Sequence, residues 1–362
     1  MKLGDLCEVV RGSSPRPKSD TRFYGGIVPR LMVSDLTRDG KIVSARTDTL
    51  TELGATQSRP MKSGDVVIAV SGAPGLPAIL SHDCCIHDGF VGLRDLDRRR
   101  LNADFLYAYL MFVKETSISQ AVGAIFKNLT TDQIKSIEIP EFPLSEQKRI
   151  ADILDRAEAL RAKRRAALAI LDELTQSIFL DMFGNPVTNS LGLDSAPLGE
   201  LLKFKSGEFL PAHKMATEGT FPVLGGNGVN GWHSEYLFED RRIVVGRVGV
   251  YCGCVHVSPP QSWITDNALY VEKQDSRLAF DYLVHALTHA RLNQYASQSG
   301  QPLISGSRIY PVHVLLPPLT EQIDFAKRIA GVEHLRRALA DSNNELDQLF
   351  ASLQHRAFRG EL

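Results

Sequence analysis

The sequence lacks the features that would mark a membrane protein or a familiar enzyme. It contains no run of about 18 consecutive apolar residues, and Met1-Lys-Leu-Gly-Asp lacks the apolar stretch of a signal peptide. The phosphate-binding loop Gly-x-x-x-x-Gly-Lys-[Ser/Thr], the Gly-x-Ser-x-Gly elbow and the His-Glu-x-x-His motif are also missing. We therefore expect no membrane partner, no cofactor and no catalytic residues.

Cysteine is scarce, and its distribution argues against disulfides. The five cysteines are Cys7, Cys84, Cys85, Cys252 and Cys254. An odd number in a large chain favours a reducing cytoplasm. Cys252, Cys254 and His256 alternate, so on a strand they would share one face and could offer zinc three ligands. A fourth ligand at the usual spacing is missing, so we predict buried thiols and no metal, with zinc as the alternative.

The chain also lacks a charge excess of either sign. Its 41 Lys and Arg residues against 42 Asp and Glu residues give a net charge of −1 and a pI near 6.8. Nucleic-acid binding normally requires a basic face, so such a face would have to be local. The length of 362 residues and a hydrophobic content of 43% predict a soluble globular protein of two or three domains.

A long repeat dominates what is present. Pro143-Leu-Ser-Glu-Gln through Phe183 recurs as Pro318-Leu-Thr-Glu-Gln through Phe358, and in each copy we expect Ser145 or Thr320 to be the N-cap. Apolar residues at alternating steps of four and three predict two helices of about 40 residues, each about 60 Å long, that bury each other. The predicted buried positions are Ile153, Ala157, Leu160, Arg164, Ala167, Leu171, Leu174 and Ile178, then Arg328, Val332, Leu335, Leu339, Ser342, Leu346, Leu349 and Leu353.

The repeat extends beyond the helices. Leu3-Gly-Asp-Leu and Leu198-Gly-Glu-Leu open two segments that each show a buried strand, a helix, a glycine turn and a last strand, predicted at Ile134 to Ile139 and Val312 to Leu316. The fold class is therefore α+β (mixed α/β). Two similar globular domains, 1–142 and 185–317, with twisted β-sheets plus helices are each followed by a long helix, at 143–184 and 318–362.

These motifs resemble those of the specificity subunits of type I restriction–modification systems. The resemblance also includes Pro222-Val-Leu-Gly-Gly-Asn-Gly-Val-Asn-Gly and Gly300-Gln-Pro-Leu-Ile-Ser, and it covers essentially the whole chain. It implies that each globular domain is a target recognition domain that reads one half of a split double-stranded DNA sequence.

The resemblance further implies that the long helices form an antiparallel coiled coil, which spaces the half-sites and docks methyltransferase subunits, expected to be two. Restriction subunits would join through the complex. The chain itself would be a non-catalytic reader. In agreement, the Asn/Asp-Pro-Pro-aromatic loop of DNA aminomethyltransferases is missing, since the only Pro-Pro pairs stand in Ser258-Pro-Pro-Gln and Leu316-Pro-Pro-Leu. Because the two copies differ in sequence, we expect different half-sites.

In the first domain, basic and polar side chains on loops are the candidates for DNA contact. A proline-kinked loop carries Arg11, Ser13, Arg16, Lys18 and Arg22. Lys127 and Asn128 follow Gly123, where the resemblance places a DNA-facing turn. Arg30 and Ser34, after Tyr24-Gly-Gly, are further candidates. The loop residues are equally compatible with an ordinary solvated loop.

In the second domain, the candidates lie around glycine-rich turns. They are Asn227, Asn230, Trp232, His233, Arg247, Gln301, Ser305, Ser307 and Arg308. Asparagine can bind adenine through two hydrogen bonds, although a structural turn is the alternative for the 225–233 stretch. Arg247 fits a salt bridge as well as a DNA contact.

Three alternatives stay open at this stage. The basic run Arg161-Ala-Lys-Arg-Arg fits either a solvated helix face or a phosphate tether between the half-sites. The whole chain could instead be a non-DNA adaptor with two domains on a coiled coil. A metal-dependent nuclease built on the cysteine and histidine positions is the third possibility.

Overall fold

The computed structural model describes residues 1–119, 130–297 and 300–362. These residues form two compact units, one of Met1–Arg165 with Ser342–Leu362 and the other of Ala166–Asp341. Each unit combines sheets and short helices with parts of the two long helices. Within the described ranges, none of the helices combines the length and the apolar character needed to cross a bilayer.

The first unit contains two sheets. Its strands are β1 (Glu8–Arg11), β2 (Tyr24–Leu31), β3 (Ile42–Val43), β4 (Asp48–Leu50), β5 (Arg59–Met61), β6 (Val66–Ala69), β7 (Pro77–Leu80), β8 (Cys84–Ile86) and β9 (Phe90–Arg94). Its short helices are α1 (Val33–Asp39), α2 (Glu52–Thr56), α3 (Ala103–Ser119) and α4 (Thr131–Lys135), with a 3-10 turn at Leu3–Asp5. One sheet has the order β1-β9-β6-β7-β3 and the other β4-β2-β8-β5. In the second sheet, β2 and β8 run parallel, and Arg30 pairs with Cys85.

The second unit repeats this plan. Its strands are β10 (Ser195–Pro197), β11 (Leu202–Ser206), β12 (Phe221–Gly225), β13 (Gly228–His233), β14 (Ile243–Gly246), β15 (Val255–Val257), β16 (Trp263–Ile264), β17 (Ala268–Gln274) and β18 (His313–Leu315). Its short helices are α6 (Leu198–Leu201), α7 (Phe280–His289) and α8 (Gly306–Ile309), with 3-10 turns at Ala212–Lys214, Gly249–Tyr251 and Leu292–Tyr295. The long helices are α5 (Leu144–Phe183) and α9 (Leu319–Arg359).

Matching strand orders confirm the internal duplication. The order β11-β17-β14-β15 repeats β1-β9-β6-β7, and the parallel pair β12 and β16 repeats β2 and β8. The Leu-Gly-[Asp/Glu]-Leu openings have a packing role. A Cβ atom added at Gly4 would lie 3.0 Å from Cβ of Lys135, and one at Gly199 would lie 3.0 Å from Cβ of Tyr310. Each opening glycine therefore lets the first helical turn of its unit lie close to the end of α4 in the first unit and of α8 in the second.

A fully buried glutamine joins each long helix to its globular part. Gln147 accepts a hydrogen bond from Asn102 N (2.9 Å) and donates to Arg100 O (2.8 Å) and Phe142 O (2.9 Å). Gln322 does the same in the second unit, with Ala279 N at 2.7 Å, Arg277 O at 2.9 Å and Pro317 O at 2.8 Å. Because a buried amide must satisfy both its donors and its acceptor, these bonds fix where each long helix begins.

The two long helices pack as an antiparallel coiled coil, as predicted. In the first unit, Arg149 donates to Leu362 O (2.9 Å), while Arg161 farther along α5 contacts Asp347 (2.6 Å). In the second unit, Asp172 pairs with Arg336 (2.8 Å), and the rings of Phe179 and Phe325 lie 5.6 Å apart. As numbers rise along α5, the contacted numbers fall along α9.

Each core is completed by the end of a long helix. In the first unit, Phe358 near the end of α9 packs against Phe105, with ring centroids 5.7 Å apart, and against Tyr109 at 5.1 Å. In the second unit, Phe183 at the end of α5 packs against Tyr282 at 5.0 Å. The apolar ends of both helices are therefore part of the globular cores.

The predicted helix seam is wrong at four leucine positions and at Arg328, all of which are exposed. The leucines placed in it that are exposed are Leu160 (58%), Leu174 (40%), Leu335 (50%) and Leu349 (65%). The next residue, Arg161, packs inward instead. Its guanidinium lies 4.2 Å from the ring centroid of Phe350 and donates to Asp347. A long aliphatic stem with a paired charge can occupy a seam position that a search for apolar residues misses.

Two local predictions are also wrong. The long helices begin one residue before Ser145 and Thr320, because the carbonyls of Pro143 and Pro318 already accept the first helical bonds. The strand expected at Ile134 to Ile139 begins as helix α4, which Thr130 and Gln133 cap reciprocally. Only Glu138 of that stretch forms a β-bridge, to Lys2.

We predict that Gln147→Ala destabilises the first unit by about 2 to 4 kcal/mol, because three buried backbone groups lose their partners. Hydrogen exchange of the Asn102 amide, which donates to Gln147, should accelerate, and the urea midpoint of the full chain should fall. Gln176→Ala, at an exposed position of the same helix, is the matched control and should stay within about 0.5 kcal/mol of the parent. Equal behaviour of the two variants would contradict the anchoring role.

We also predict acid sensitivity of the second unit from His285. Its pKa is lowered to about 4, mainly by burial and also by the neighbouring His289, while Asp281 opposes the shift. Its ring packs on Phe325, with centroids 5.2 Å apart. The folded state therefore keeps His285 neutral, whereas the unfolded chain binds a proton below about 6.5. Stability should fall by about 1 to 2 kcal/mol from pH 7 to pH 5 through this residue. Thermal melts should show a smaller loss over this interval in His285→Leu; an equal loss would refute the assignment.

Candidate nucleic-acid interface

In the first unit, the candidate loop (residues 11–22) is held at the end of β8 by backbone hydrogen bonds. Gly12 N donates to Phe90 O (2.9 Å), and Ser13 N donates to Ile86 O (3.2 Å). A Cβ atom at Gly12 would lie 2.0 Å from His87 O, so only glycine fits there. The start of the loop, at Gly12 and Ser13, therefore follows one fixed path to the edge of the sheet.

Several side chains of this loop already have partners. Arg16 pairs with Asp88 (3.2 Å) and Arg22 with Asp20 (2.7 Å); the side chain of Asp20 is only 15% exposed, whereas the other three are mostly exposed. Ser14 donates to Asp88 (2.6 Å). This bond is the largest cause of the lowered pKa of the Asp88 carboxyl, while burial opposes the shift. Ser13 donates to Gln57 O (2.8 Å), and Arg11, exposed at the end of β1, accepts from Arg59 through its carbonyl (3.2 Å).

Lys18 is the exposed cation of the loop that makes no ion pair with any described residue. It is therefore available to a phosphate without breaking an existing pair. Lys127 and Asn128 lie outside the described residues.

Below the loop lies a polar cluster that the sequence only partly indicated. Arg30 is 8% exposed, pairs with Asp48 at 2.5 Å and lies over the Tyr24 ring at 5.0 Å. Burial lowers the pKa of the neighbouring His87. Arg30 is a candidate from the sequence, whereas His87 is not among the residues predicted there. Ser34, the other candidate of this segment, is exposed and bonded to Thr47.

In the second unit, a hairpin turn presents exposed Asn227 between β12 and β13. This turn packs tightly on the end of β14, since a Cβ atom at Gly246 would lie 2.8 Å from Gly226 O. Asn230, on β13, is also exposed, and its amide lies beside Gly225.

Arg247 joins that end of β14 to the Gly300 turn. Its Nη1 donates to Ser206 Oγ and Asp266 O, both at 3.1 Å, and its carbonyl accepts from Ile304 N at 2.9 Å. Arg247 therefore holds the turns around Asn227 and Gln301 on the same edge. In the Gly300 turn region, Ser305 and Ser307 share a hydrogen bond of 2.9 Å, and Arg308 is exposed.

Trp232 and His233 lie at the other end of β13 from Asn227, opposite Pro222 and Phe221. The ring of His233 packs edge-on against Trp263, with centroids 5.2 Å apart. These two candidates therefore form a separate aromatic patch. Val250 (89% exposed) and Tyr251 (50%) follow Arg247 at the edge where Asn227 lies, and they are not among the residues predicted from the sequence. Their position after a strand and a glycine was the available signal.

Cys252 and His256 have structural partners, whereas Cys254 is exposed, so the prediction of a buried thiol is wrong there. Cys252 donates to Arg247 O (3.2 Å), and His256 Nε2 lies 3.2 Å from Gly226 O. Among the described residues, no group of three or more His, Cys, Asp or Glu side chains is arranged to hold a metal ion. The zinc alternative therefore finds no support there.

The basic run on α5 is partly used for helix packing. Arg161 pairs with Asp347 (2.6 Å) and Glu158 (2.5 Å), and Arg165 also pairs with Glu158 (2.6 Å). Lys163 is exposed. The run is therefore neither simply a solvated face nor an unpaired phosphate tether.

Comparisons with known proteins agree with this duplicated architecture. The type I restriction enzyme EcoprrI specificity subunit of Escherichia coli is 22% identical over 357 residues, which cover 94% of this chain and 89% of that protein. The S subunit of a type I restriction–modification system from M. genitalium matches with a TM-score of 0.62 at 17% identity, covering 99% of this chain and 95% of that one. A chain from a structure described as the basis of complex assembly and conformational transition of the type I R-M system matches with a TM-score of 0.57 at 19% identity, covering 100% and 97%.

At these identities the two solved structures show the shared fold. The family itself is shown by the family model for the type I restriction modification DNA specificity domain, which matches the chain twice, at residues 1–169 and 192–348. The two matches coincide with the two halves of the duplication. The chain therefore belongs to the family of type I restriction–modification DNA specificity proteins, the non-catalytic recognition components of these systems.

Proposed function

We propose that this chain reads a bipartite, asymmetric double-stranded DNA target in the cytoplasm, with one half-site for each target recognition domain. The domains are 1–142 and 185–317, and the helices 143–184 and 318–362 set the gap between the half-sites. Two methyltransferase subunits dock on the coiled coil, and restriction subunits join through the complex.

The observation that carries this proposal is one strand plan with two different sets of side chains. At the parallel strand pair, Arg30 faces Cys85 in the first unit, whereas Val223 faces Trp263 at the matching register in the second. A cationic loop borders the first pair, while amide and aromatic side chains border the second. Two related readers with different chemistry fit two different half-sites.

Salt-dependent DNA binding separates this function from a non-DNA adaptor. The full chain, with its methyltransferase subunits, should enrich a split motif from a library of randomised duplexes, and affinity should fall steeply as salt rises. An adaptor would enrich no motif.

We predict that the long helices act as the ruler. Inserting one heptad into both α5 and α9, after Arg165 and after Asp341, adds about 10 Å of helix while keeping the seam in register. The selected motif should keep both half-sites and gain about 3 base pairs between them, given about 3.4 Å per base pair. An unchanged gap would show that the spacing is set elsewhere.

The exposed leucines of the long helices support two equivalent docks. Leu160 and Leu349, which lie in the first unit, line one groove of about 260 Å³ together with Phe350. Counted from Pro143 and Pro318, Leu335 and Leu174 occupy the same repeat positions in the second unit. Large exposed apolar side chains at matched positions indicate a surface that another chain covers.

We therefore predict a stepwise loss of methyltransferase subunits. The double variant Leu160→Asp, Leu349→Asp should bind one subunit instead of two, and adding Leu174→Asp and Leu335→Asp should abolish binding. Native mass spectrometry with the purified methyltransferase subunit gives the count. Gln348→Asp, which adds a charge beside Leu349 without removing apolar surface, should keep two subunits. Normal stoichiometry in the fourfold variant would place the docks elsewhere.

A further inference from the structure

We propose that Arg30, together with His87, reads the acceptor edge of a guanine in the half-site bound by the first unit. This inference rests on the proposed function and assigns one base contact to named residues. It concerns the buried cluster below the 11–22 loop.

Arg30 is held in one orientation. Its backbone lies on β2 between Asp48 of β4 and Cys85 of β8. Its guanidinium pairs with Asp48 at 2.5 Å and lies over the Tyr24 ring at 5.0 Å. Asp48 and Tyr24 are therefore positioning residues, and they reduce the entropy that a long side chain would lose on binding a base.

The cluster holds hydrogen-bond donors that the described protein does not satisfy. Arg30 Nε and Nη1 are buried and have no partner among the described residues. His87 Nδ1 accepts from Gly89 N (2.8 Å), so the proton of the neutral ring sits on Nε2, and this buried nitrogen also has no described partner. A buried donor without a partner is unfavourable for folding, and a functional contact would explain why such donors are present.

Arg30 and His87 lie within electrostatic reach of each other. After burial, the positive charges of Arg30 and Lys18 are among the causes that lower the pKa of His87, while Asp88 and Asp48 oppose them. The ring is therefore neutral at pH 7 and offers a single N–H. The unsatisfied nitrogens of the cluster are all donors, so the matching ligand is a group of acceptors.

Among the bases, guanine fits this requirement. Its major-groove edge presents two acceptors, N7 and O6, whereas adenine and cytosine present an amino donor there. Nη1 and the adjacent Nη2 of Arg30 can bind these two acceptors together, because the contact of Nη2 with Met32 Sδ is long (3.8 Å) and can be exchanged. A phosphate also accepts hydrogen bonds, but the Asp48 carboxylate beside Arg30 would repel its negative charge. The neutral edge of guanine avoids that repulsion.

The cluster is covered in the free chain by contacts that DNA can exchange. Tyr24 donates to Pro15 O (2.7 Å) and Ser14 donates to Asp88 (2.6 Å), which fastens the loop at this edge. Each such bond contributes little to stability, because its groups bond to water when it breaks. The loop therefore moves when the base edge reaches Arg30, and this motion brings Lys18 close to the phosphate backbone of the DNA.

The test is selection from randomised duplexes by the full chain with its methyltransferase subunits, comparing the parent with Arg30→Gln and Arg30→Lys. The parent should select a G·C pair at one position of one half-site. Arg30→Gln should lose that preference by about 5- to 100-fold while the other positions and the other half-site persist. Arg30→Lys keeps a cation for Asp48 but loses the two parallel N–H donors of the guanidinium. It should therefore weaken the preference for G·C at that position and at no other.

Arg149→Gln is the matched control, because Arg149 is exposed on α5, pairs with Glu146 (2.7 Å) and is not a candidate for DNA contact. The motif that this variant selects should equal that of the parent. An unchanged motif in both Arg30 variants would overturn the assignment. A uniform loss of affinity for all sequences would also overturn it, if the slope of log affinity against log salt concentration became smaller by about one. That combination marks a phosphate contact. If Arg30→Gln fails to fold, Arg30→Lys decides by the same criteria. A parent chain that selects no motif at all would instead refute the proposed function.

Discussion

The architecture depends on the need of one buried amide group, present twice, to satisfy all of its hydrogen bonds. Gln147 and Gln322 are fully buried, and each joins the first turn of a long helix to the start of a shorter helix and to the preceding chain. An apolar residue at this position could slide along its neighbours, whereas the amide is satisfied in one arrangement only. The direction in which each long helix leaves its globular part is thereby set by a local and directional contact.

The two units share these buried contacts, whereas their surfaces differ. The glutamine, the opening glycine and the strand order are common to both halves and carry packing. The loops at the strand ends differ, with a paired cationic loop in one unit and amide-bearing turns in the other. A scaffold fixed by buried contacts can accept such changes at its edges, because loop substitutions there leave the core hydrogen bonds and packing intact.

Much of the fold could be predicted from the sequence, because helical periodicity and repetition are properties of the chain itself. The two long helices, their mutual burial and the duplicated domains followed from them, whereas the antiparallel direction was implied by the family resemblance. The seam was misplaced because Leu160 is the more apolar neighbour of Arg161, and only the packing on Phe350 shows which of them turns inward. The candidate loops were found by composition. Arg30 and His87 could not be ranked in this way, since their unsatisfied atoms result from burial by residues distant in sequence.

The way the first core is closed has a consequence for biosynthesis. Phe358 packs on Phe105 and Tyr109 but is translated about 250 residues after them. At about 5 to 20 residues per second, the nascent amino-terminal unit waits on the order of tens of seconds for this piece. The unit of Ala166–Asp341 is complete earlier, although it emerges second. During that delay the uncovered aromatic surface around Phe105 is a natural client for a chaperone.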